Sequence, residues 1–461
     1  MKVVGLVTEY NPFHNGHRYH LEQAKKKTGA GFGVVVMSGN FLQRGEPAII
    51  DKFARAEMAL ACGADLVLEI PAYFACGSAE YFALGAVSLL DSLGIVDAVC
   101  FGSECGDIQV LDEIAEVLAE EPSLYKNTLK ALLSEGKSFP AAREEALLSC
   151  LTALHGSEKE DCVSLWKDVL DSPNNILGIE YLKALKKLNS NMQPVTIERI
   201  SSGYHDPSLH TGISSATAIR RVILEDRRKL PDSEKISDPG KPRLDRDFES
   251  VSGSFAADPI RGQVPNEVYA ILQRESNRTF PIKSADFSQL LHYRLLSVKD
   301  WKELAQFFDV SEDLAKRICN LRNSYEGLED FIARLKTRQF TETRIRRALM
   351  HILLGIKEDA VRESVISANG ACYIRVLGFH KNASVLLTEI KKKSRLPIIT
   401  KMADASELLK SSPFSDMAGK MLDCDIYSAQ VYHCAVTNRY KDHTYNEFTR
   451  QIIVQRQPRC V

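Results

Sequence analysis

Through the first hundred residues, short apolar runs alternate with stretches whose apolar positions recur every three or four residues. Lys2 to Thr8 reads as a strand, His17 to Lys27 as a helix closed by Gly29, and Phe32 to Met37 as a second strand. Asp51 to Cys62 follows as a helix ended by Gly63, and Asp65 to Ile70 as a third strand stopped by Pro71. Ser78 to Leu93 is a helix ended by Gly94, Val96 to Phe101 a fourth strand and Ile108 to Ala119 a helix. Strands that are apolar on both sides and separated by helices belong to a parallel sheet covered on both faces, with right-handed crossovers. Ligands on such a sheet bind at the carboxyl ends of the strands, so chemistry is expected in the loops after Thr8, Met37, Ile70 and Phe101.

Ser138 to Leu170 continues with a helical pattern, and the charges between His155 and Ser172 suggest a solvated surface insertion. Ile176 to Leu188 is a helix, Val195 to Ile200 a fifth strand, and Ser214 to Glu225 a helix opened by serines. Residues 225 to 250 hold 15 charged residues and three prolines in 26 positions, the composition of a loop or linker. Ser284 to Ile356 is helical throughout. From Gly370 the pattern is mixed, and ACYIRVLGF, ASVLLTEIKKK and LPIITK read as one β-α-β unit. The fold class is therefore α/β, with a parallel-sheet domain (1–225), a charged linker (226–255), a helical region (256–365) and a mixed α/β C-terminal region (366–461).

Composition narrows the class. The 461 residues are 44% hydrophobic and 26% charged, an ordinary globular balance that excludes collagen-like and wholly disordered chains. No apolar run approaches the roughly 18 residues of a membrane helix, and the N-terminus lacks a signal-peptide core, so a cytoplasmic location without membrane contact is expected. Lys and Arg number 59 against 60 Asp and Glu, for a net charge of −1. That excludes a uniformly basic surface and leaves room for a local basic patch. The eleven cysteines are odd in number and form no CxxC pair, which predicts reduced, mostly buried thiols and no metal site.

The loop after the first strand reads Glu9-Tyr10-Asn11-Pro12-Phe13-His14-Asn15-Gly16-His17. Its H-x-G-H core sits between a parallel strand and a helix N-terminus. There two imidazoles can donate to nucleotide phosphates, Gly16 lets the backbone approach the ligand, and the helix start adds free N–H groups. Such a site stabilises charge on a phosphate in the transition state and supplies no nucleophile. A second candidate is Gly212-Ile213-Ser214-Ser215-Ala216-Thr217-Ala218-Ile219-Arg220, where two hydroxyls cap a helix or bind an anion and Arg220 reaches toward the same phosphates.

These two motifs together are the signature of the HIGH-motif nucleotidyltransferase superfamily. Further segments extend the resemblance: Gly39 to Ala48 (GNFLQRGEPA), Asp51 to Glu57 (DKFARAE), Gly63 to Pro71 (GADLVLEIP), Phe101 to Glu104, Pro173 to Gly178 and Leu396 to Lys401. With them the chain resembles, over nearly its whole length, the bacterial tRNA(Met) cytidine acetate ligases. The resemblance implies a Rossmann-like nucleotidyltransferase domain that joins acetate and ATP into acetyl-adenylate, and transfer of the acetyl group to N4 of the wobble cytidine of elongator tRNA(Met). His14, His17, Ser214, Ser215 and Arg220 would neutralise phosphate charge. Carried over from the family, the ATP site covers Val7, Thr8, Glu9, Tyr10, Asn11, Pro12, Phe13, His14, Asn15, Gly16, His17, Arg18, Tyr19 and His20, with Gly102, Arg199, Ile200 and either Asn174 or Asn175. ATP, with Mg2+, enters as substrate. No tightly bound cofactor, no coenzyme A and no stable protein partner are implied.

The remaining charged groups have plainer readings beside functional ones. Asp51, Lys52, Arg55 and Glu57 form a substrate-facing cluster or, more often for alternating charges, a solvated helix face. Glu104 and Asp107 hold magnesium or ribose, or are loop carboxylates. Between Lys316 and Arg347, nine basic residues face four acidic ones, a net of +5 in 32 residues. That makes Arg338, Arg344 and Arg347 candidates for tRNA contact. Lys391 and Lys392 offer a second patch, with Tyr373 and Phe379 for stacking. The competing readings are a small-molecule adenylyltransferase of the same superfamily and a non-catalytic, nucleotide-sensing RNA-binding protein.

Overall fold

The computed structural model describes residues 1–155, 160–199, 214–226, 260–410, 412–442 and 446–456. Five strands, β1 (Val3–Thr8), β2 (Phe32–Ser38), β3 (Leu66–Ile70), β4 (Ala98–Ser103) and β5 (Gln193–Glu198), lie parallel in the order β5-β4-β1-β2-β3. β5 starts two residues earlier than its apolar run suggested, because Gln193 and Pro194 pair with Ala98 and Val99. Helices α1 (Asn15–Thr28), α2 (Lys52–Ala61), α3 (Ala72–Ala75), α4 (Ala79–Ser92), α5 (Ile108–Glu120), α6 (Ser123–Ser134), α7 (Phe139–His155), α8 (Glu160–Leu170) and α9 (Pro173–Lys187) fill the connections, and α10 (Ala216–Asp226) follows β5.

Alternate residues of each strand enter two cores, as a sheet covered on both faces requires. Val4, Leu6, Val35, Met37 and Val67 meet α1 and α2 on one face. Val3, Val34, Val36, Leu66 and Leu68 meet α4, α5 and α9 on the other. α8 corrects the reading of a solvated insertion: Trp166 and Val169 are buried in the second core, while Lys167 and Asp168 are exposed. The linker reading at 226–255 falls almost wholly outside the described residues.

The C-terminal half holds α11 (Asn266–Glu275), α12 (Ser288–Ser297), α13 (Trp301–Leu304), α14 (Glu312–Leu321), α15 (Leu328–Leu335), α16 (Glu342–Leu354) and α17 (Glu358–Ser367). β6 (Ile374–His380), α18 (Ser384–Lys393) and β7 (Ile398–Ile399) then form the expected β-α-β unit. α19 (Ala405–Lys410), α20 (Ser415–Tyr440) and β8 (Ile453–Gln455) complete the described chain. β6 lies antiparallel beside β3 and carries β7 and β8 parallel to itself, so the mixed C-terminal region extends the N-terminal sheet to eight strands. Every residue of β3 is buried, and an apolar edge of that kind needs a covering strand. Local patterning showed the need and not which segment meets it.

That junction is sealed by charge. Lys52, 1% exposed, donates to both Glu69 oxygens (2.7 and 2.9 Å) and to Glu447 Oε2 (3.1 Å). Arg375 on β6 pairs with the same two carboxylates. Gly39 makes room, since a Cβ there would sit 2.6 Å from Glu69 Oε1. Burial opposes ionisation of Glu447, but Lys52 and Arg375 prevail and hold its carboxyl down to about 2. Glu447→Ala leaves both cations short of a partner and is expected to cost about 3–5 kcal/mol, read as a lower urea midpoint. In the intact protein this contribution is present above the unfolded carboxyl pKa and is lost as pH falls toward 2.

Candidate functional site

β1 ends at Thr8 at the carboxyl edge of the sheet, and the chain turns through Tyr10 at φ 48° and a cis Asn11–Pro12 peptide into α1. His14 is the helix N-cap. Its Nδ1 accepts Gly16 N–H (3.1 Å), while His17 Nδ1 accepts His14 N–H (3.2 Å). The two rings stack with centroids 3.7 Å apart. With both Nδ1 atoms acting as acceptors, each neutral imidazole carries its proton on Nε2, on the far side of the ring from the backbone it caps. The spacing H-x-G-H thus does two jobs: it closes a capping box and presents two N–H donors.

Burial, then Arg199 and Arg220, push the His14 imidazolium down to about 3. Burial, His14, Arg199 and His20 push His17 well below its ordinary value, and burial with Arg199 takes His20 to about 4. The pocket therefore combines neutral imidazole donors with two guanidinium groups, a setting for a polyanion and not for a general base.

Arg220 reaches the loop from α10, its Nη1 donating to Asn11 O (2.9 Å) and its Nη2 to Thr217 Oγ1 (3.1 Å). Ser215 caps α10, its Oγ accepting Ala218 N–H (3.1 Å), and Ser214 beside it is buried. The two sequence motifs thus meet, although Gly212 and Ile213 lie outside the described residues. On the other flank, a Cβ at Gly102 would stand 3.3 Å from Arg199 Cγ, so the glycine lets this arginine cross the end of β4. Ile200 is not among the described residues.

The asparagine pair separates by role. Asn175 is buried, and its Oδ1 accepts Glu104 N–H (2.8 Å) and Cys105 N–H (3.2 Å). The half-buried Asn174 donates Nδ2 to Glu104 (2.6 Å) and accepts Arg199 Nη1 (3.5 Å). Glu104 also accepts Asn175 N–H (2.9 Å), so its carboxylate is engaged in joining α9 to the loop after β4. Asp107 Oδ1 accepts Gln109 N–H as the cap of α5.

Comparison with known proteins finds relatives over nearly the whole chain. A family model described as HIGH Nucleotidyl Transferase matches residues 1–447. The curated tRNA(Met) cytidine acetate ligase of Acetivibrio thermocellus is 40% identical over 455 residues, covering 98% of this chain and 100% of that protein. Its counterpart from Caldanaerobacter subterraneus subsp. tengcongensis is 40% identical over 439 residues, covering 95% of this chain and 96% of the other. The crystal structure of Thermotoga maritima TmcAL bound with alpha-thio ATP superposes at TM-score 0.84, with 33% identity, over 99% of this chain and 100% of that one; the apo form gives 0.86. The chain belongs to the tRNA(Met) cytidine acetate ligase family.

For a member of this family the remaining candidates sort as follows. Val7 and Thr8 lie at the end of β1 and Gly16 in the first turn of α1. Tyr10 and Phe13 are buried beneath the histidines, their rings 4.8 and 5.6 Å from that of His17, so their part in the site is support. Asn15 faces the 260–263 segment, with Nδ2 donating to Gly262 O (2.8 Å); Arg18 pairs with Glu22 and Tyr19 packs on the first core. Pro12 is buried in the same loop. Glu9, read only as part of the ATP loop, accepts Gln43 N–H (2.9 Å) and so ties that loop to the GNFLQRGEPA segment.

Three readings need correction. The DKFARAE helix is not a solvated face: Lys52 and Arg55 are buried, the half-buried Asp51 caps the helix by accepting Ala54 N–H (2.8 Å), and the half-buried Glu57 pairs with Arg274 (2.7 Å). Tyr373 is fully buried and donates to Asp425, so it offers no stacking surface, and Phe379 is half-buried within β6. The basic run from Lys316 is not a free patch. Arg317 donates to Leu335 O, Arg322 to Leu295 O and Val298 O, and Arg334 to Ser324 O. Arg346 pairs with Glu329 and Glu342, and Arg347 with Asp309 (2.9 Å). Charge counting cannot see arginines used to satisfy helix-end carbonyls. Arg338 and Lys391 are exposed, Lys392 is exposed beside Glu389, and Arg344 rides over the Phe340 ring at 5.4 Å.

In histidine-labelled protein at pH 6, nitrogen NMR is expected to find His14 and His17 neutral and protonated on Nε2. Because His14 has a folded pKa near 3 against 6.5 unfolded, stability falls as pH drops from 6.5 toward 3, and His14→Asn flattens that slope. Asn175→Ala strands two backbone N–H groups and is expected to cost about 1–3 kcal/mol in thermal unfolding. Asn174→Ala leaves stability within about 1 kcal/mol and raises KM for ATP.

Proposed function

We propose that this ligase attacks the α-phosphate of ATP with an acetate oxygen, expels pyrophosphate, and passes the acetyl group of the resulting acetyl-adenylate to N4 of the wobble cytidine of elongator tRNA(Met). In the second step the N4–C bond forms, AMP leaves and N4 loses a proton, giving N4-acetylcytidine. The observation that carries this reading is the stacked His14–His17 pair at the carboxyl end of β1, both Nδ1 atoms held as acceptors. Carboxylate is a weak nucleophile toward a polyanion. The rate must come from positioning and from donors that meet charge as it develops on the phosphorus oxygens.

His14 and His17 donate to that charge, Arg220 and the α10 start with Ser214 and Ser215 bind the leaving pyrophosphate, and Arg199, Asn174 and Gly102 hold the nucleoside side. ATP would enter as its magnesium complex, with Glu104 serving to join α9 to the loop after β4. The adenylate supplies the activation that coenzyme A gives other acetyl donors. Among the described residues no helix is long and apolar enough to cross a membrane. The tRNA acceptor supports a cytoplasmic reaction. For the tRNA surface the reading rests on Arg338, Arg344, Lys391 and Lys392; Arg347, engaged by Asp309, serves it less directly.

Incubation with ATP, labelled acetate and tRNA(Met) transcripts carrying C or U at the wobble position tests the function. Label enters only the C transcript; label in neither or in both sinks the assignment, and adenylate formed without any transfer points to a small-molecule adenylyltransferase. His17→Ala is expected to lower acetyl-adenylate formation by about 100- to 1000-fold. Arg338→Ala with Arg344→Ala is expected to weaken tRNA binding and to reduce its salt dependence by about one to two counterions, seen by filter binding across a salt series.

A further inference from the structure

Arg55 is a fully buried cation that the proposed reaction leaves without a role. Its guanidinium makes four hydrogen bonds, all to backbone carbonyls: Nε to Ile50 O (3.1 Å), Nη1 to Glu9 O (2.6 Å) and to Ser38 O (3.1 Å), and Nη2 to Gly39 O. A guanidinium has five donors in a rigid fork; three of them join the peptide after β1 to the peptides that end β2, and a fourth ties in Ile50. Burying a cation that hydrogen-bonds only to carbonyls is costly, and burial lowers the affinity of Arg55 for its proton against the opposing pull of Asp51, Glu9 and Glu69.

What lies next to those carbonyls gives the arrangement its meaning. Glu9 precedes Tyr10, a bulky residue in the left-handed region at φ 48°, a strained conformation that persists only where its surroundings impose it. Arg55 holds the carbonyl before Tyr10, and Arg220 holds Asn11 O after it (2.9 Å). The Tyr10 ring stands edge-on against His17, with centroids 4.8 Å apart. A shift of the Glu9 carbonyl therefore moves Tyr10 and, through its ring, the His17 imidazole.

We infer that Arg55 is a positioning residue for adenylation: sealed from substrate, it sets the placement of the His17 imidazole by gripping the Glu9 carbonyl that flanks the strained Tyr10. The inference rests on the acetyl-adenylate reading for its kinetic test and on geometry alone for its spectroscopic one.

The test compares the full chain with Arg55→Lys, which keeps the charge but not the fork, and with Arg55→Ala with and without added guanidinium chloride at millimolar concentration. In acetate-dependent ATP–pyrophosphate exchange, Arg55→Lys is expected to lower kcat by about 10- to 100-fold while KM for ATP stays within about threefold, because misplaced donors weaken the transition state more than ground-state binding. Guanidinium restores part of the Arg55→Ala loss. If Arg55→Ala does not fold, Arg55→Lys carries the test. A folded Arg55→Lys protein with wild-type kcat, or one whose activity falls only with its folded fraction, overturns the inference. Should the wild type itself show no acetate-dependent exchange, the proposed reaction has failed instead. The His17 nitrogen signals in Arg55→Lys then decide: displaced signals support the positioning role, and signals superimposable on wild type refute it.

Discussion

Positive charge buried at the carboxyl edge of the sheet is the constraint around which this molecule is organised. Parallel strands end there in rows of carbonyls, and the loops that leave them converge without regular backbone partners. Lys52, Arg55, Arg220 and Arg375 all come to this edge, each for a different purpose. Arg55 and Arg220 bond to backbone oxygens of the H-x-G-H loop, while Lys52 and Arg375 neutralise Glu69 and Glu447. The first pair shapes the site; the second holds the added strands β6 and β8 onto the edge beyond β3. Cations fixed in this way hold the loops that leave the sheet in one arrangement.

The histidines fit that setting by being neutral. An imidazolium pair stacked at 3.7 Å beside two arginines would repel itself, and the structure avoids this through burial and through two Nδ1 acceptors that hold one tautomer. The helix cap thus also fixes the tautomer: backbone satisfaction takes up both Nδ1 atoms and leaves the two Nε2 atoms as the donors.

The helical region reaches the same edge. Gly45 at φ 72° lies so close to α16 that a Cβ would fall 2.4 Å from Arg346 C. His351 on that helix stands 3.0 Å from Cys76 O, on the catalytic side, and 2.9 Å from Phe308 O. Because Glu9 holds Gln43 of the same GNFLQRGEPA segment, α16 and the H-x-G-H loop are separated by a few packed peptides. Regions with separate compositional signatures form one body around the site.

Sequence alone determined the parallel α/β core and the pairing of H-x-G-H with the serine-opened helix. Those features depend on local periodicity, caps and short motifs, which are written contiguously. Only the tertiary structure decided that β6 to β8 complete the same sheet, that Asn175 is structural while Asn174 faces Arg199, and that Arg317, Arg322, Arg334 and Arg346 serve the protein's own carbonyls and carboxylates. The charges of DKFARAE looked like a solvated face because their partners, Glu9, Ser38, Gly39, Glu69 and Glu447, come from as far as 395 positions away. A residue's charge is visible in sequence, but whether water or a distant backbone satisfies it is settled only when the chain has folded.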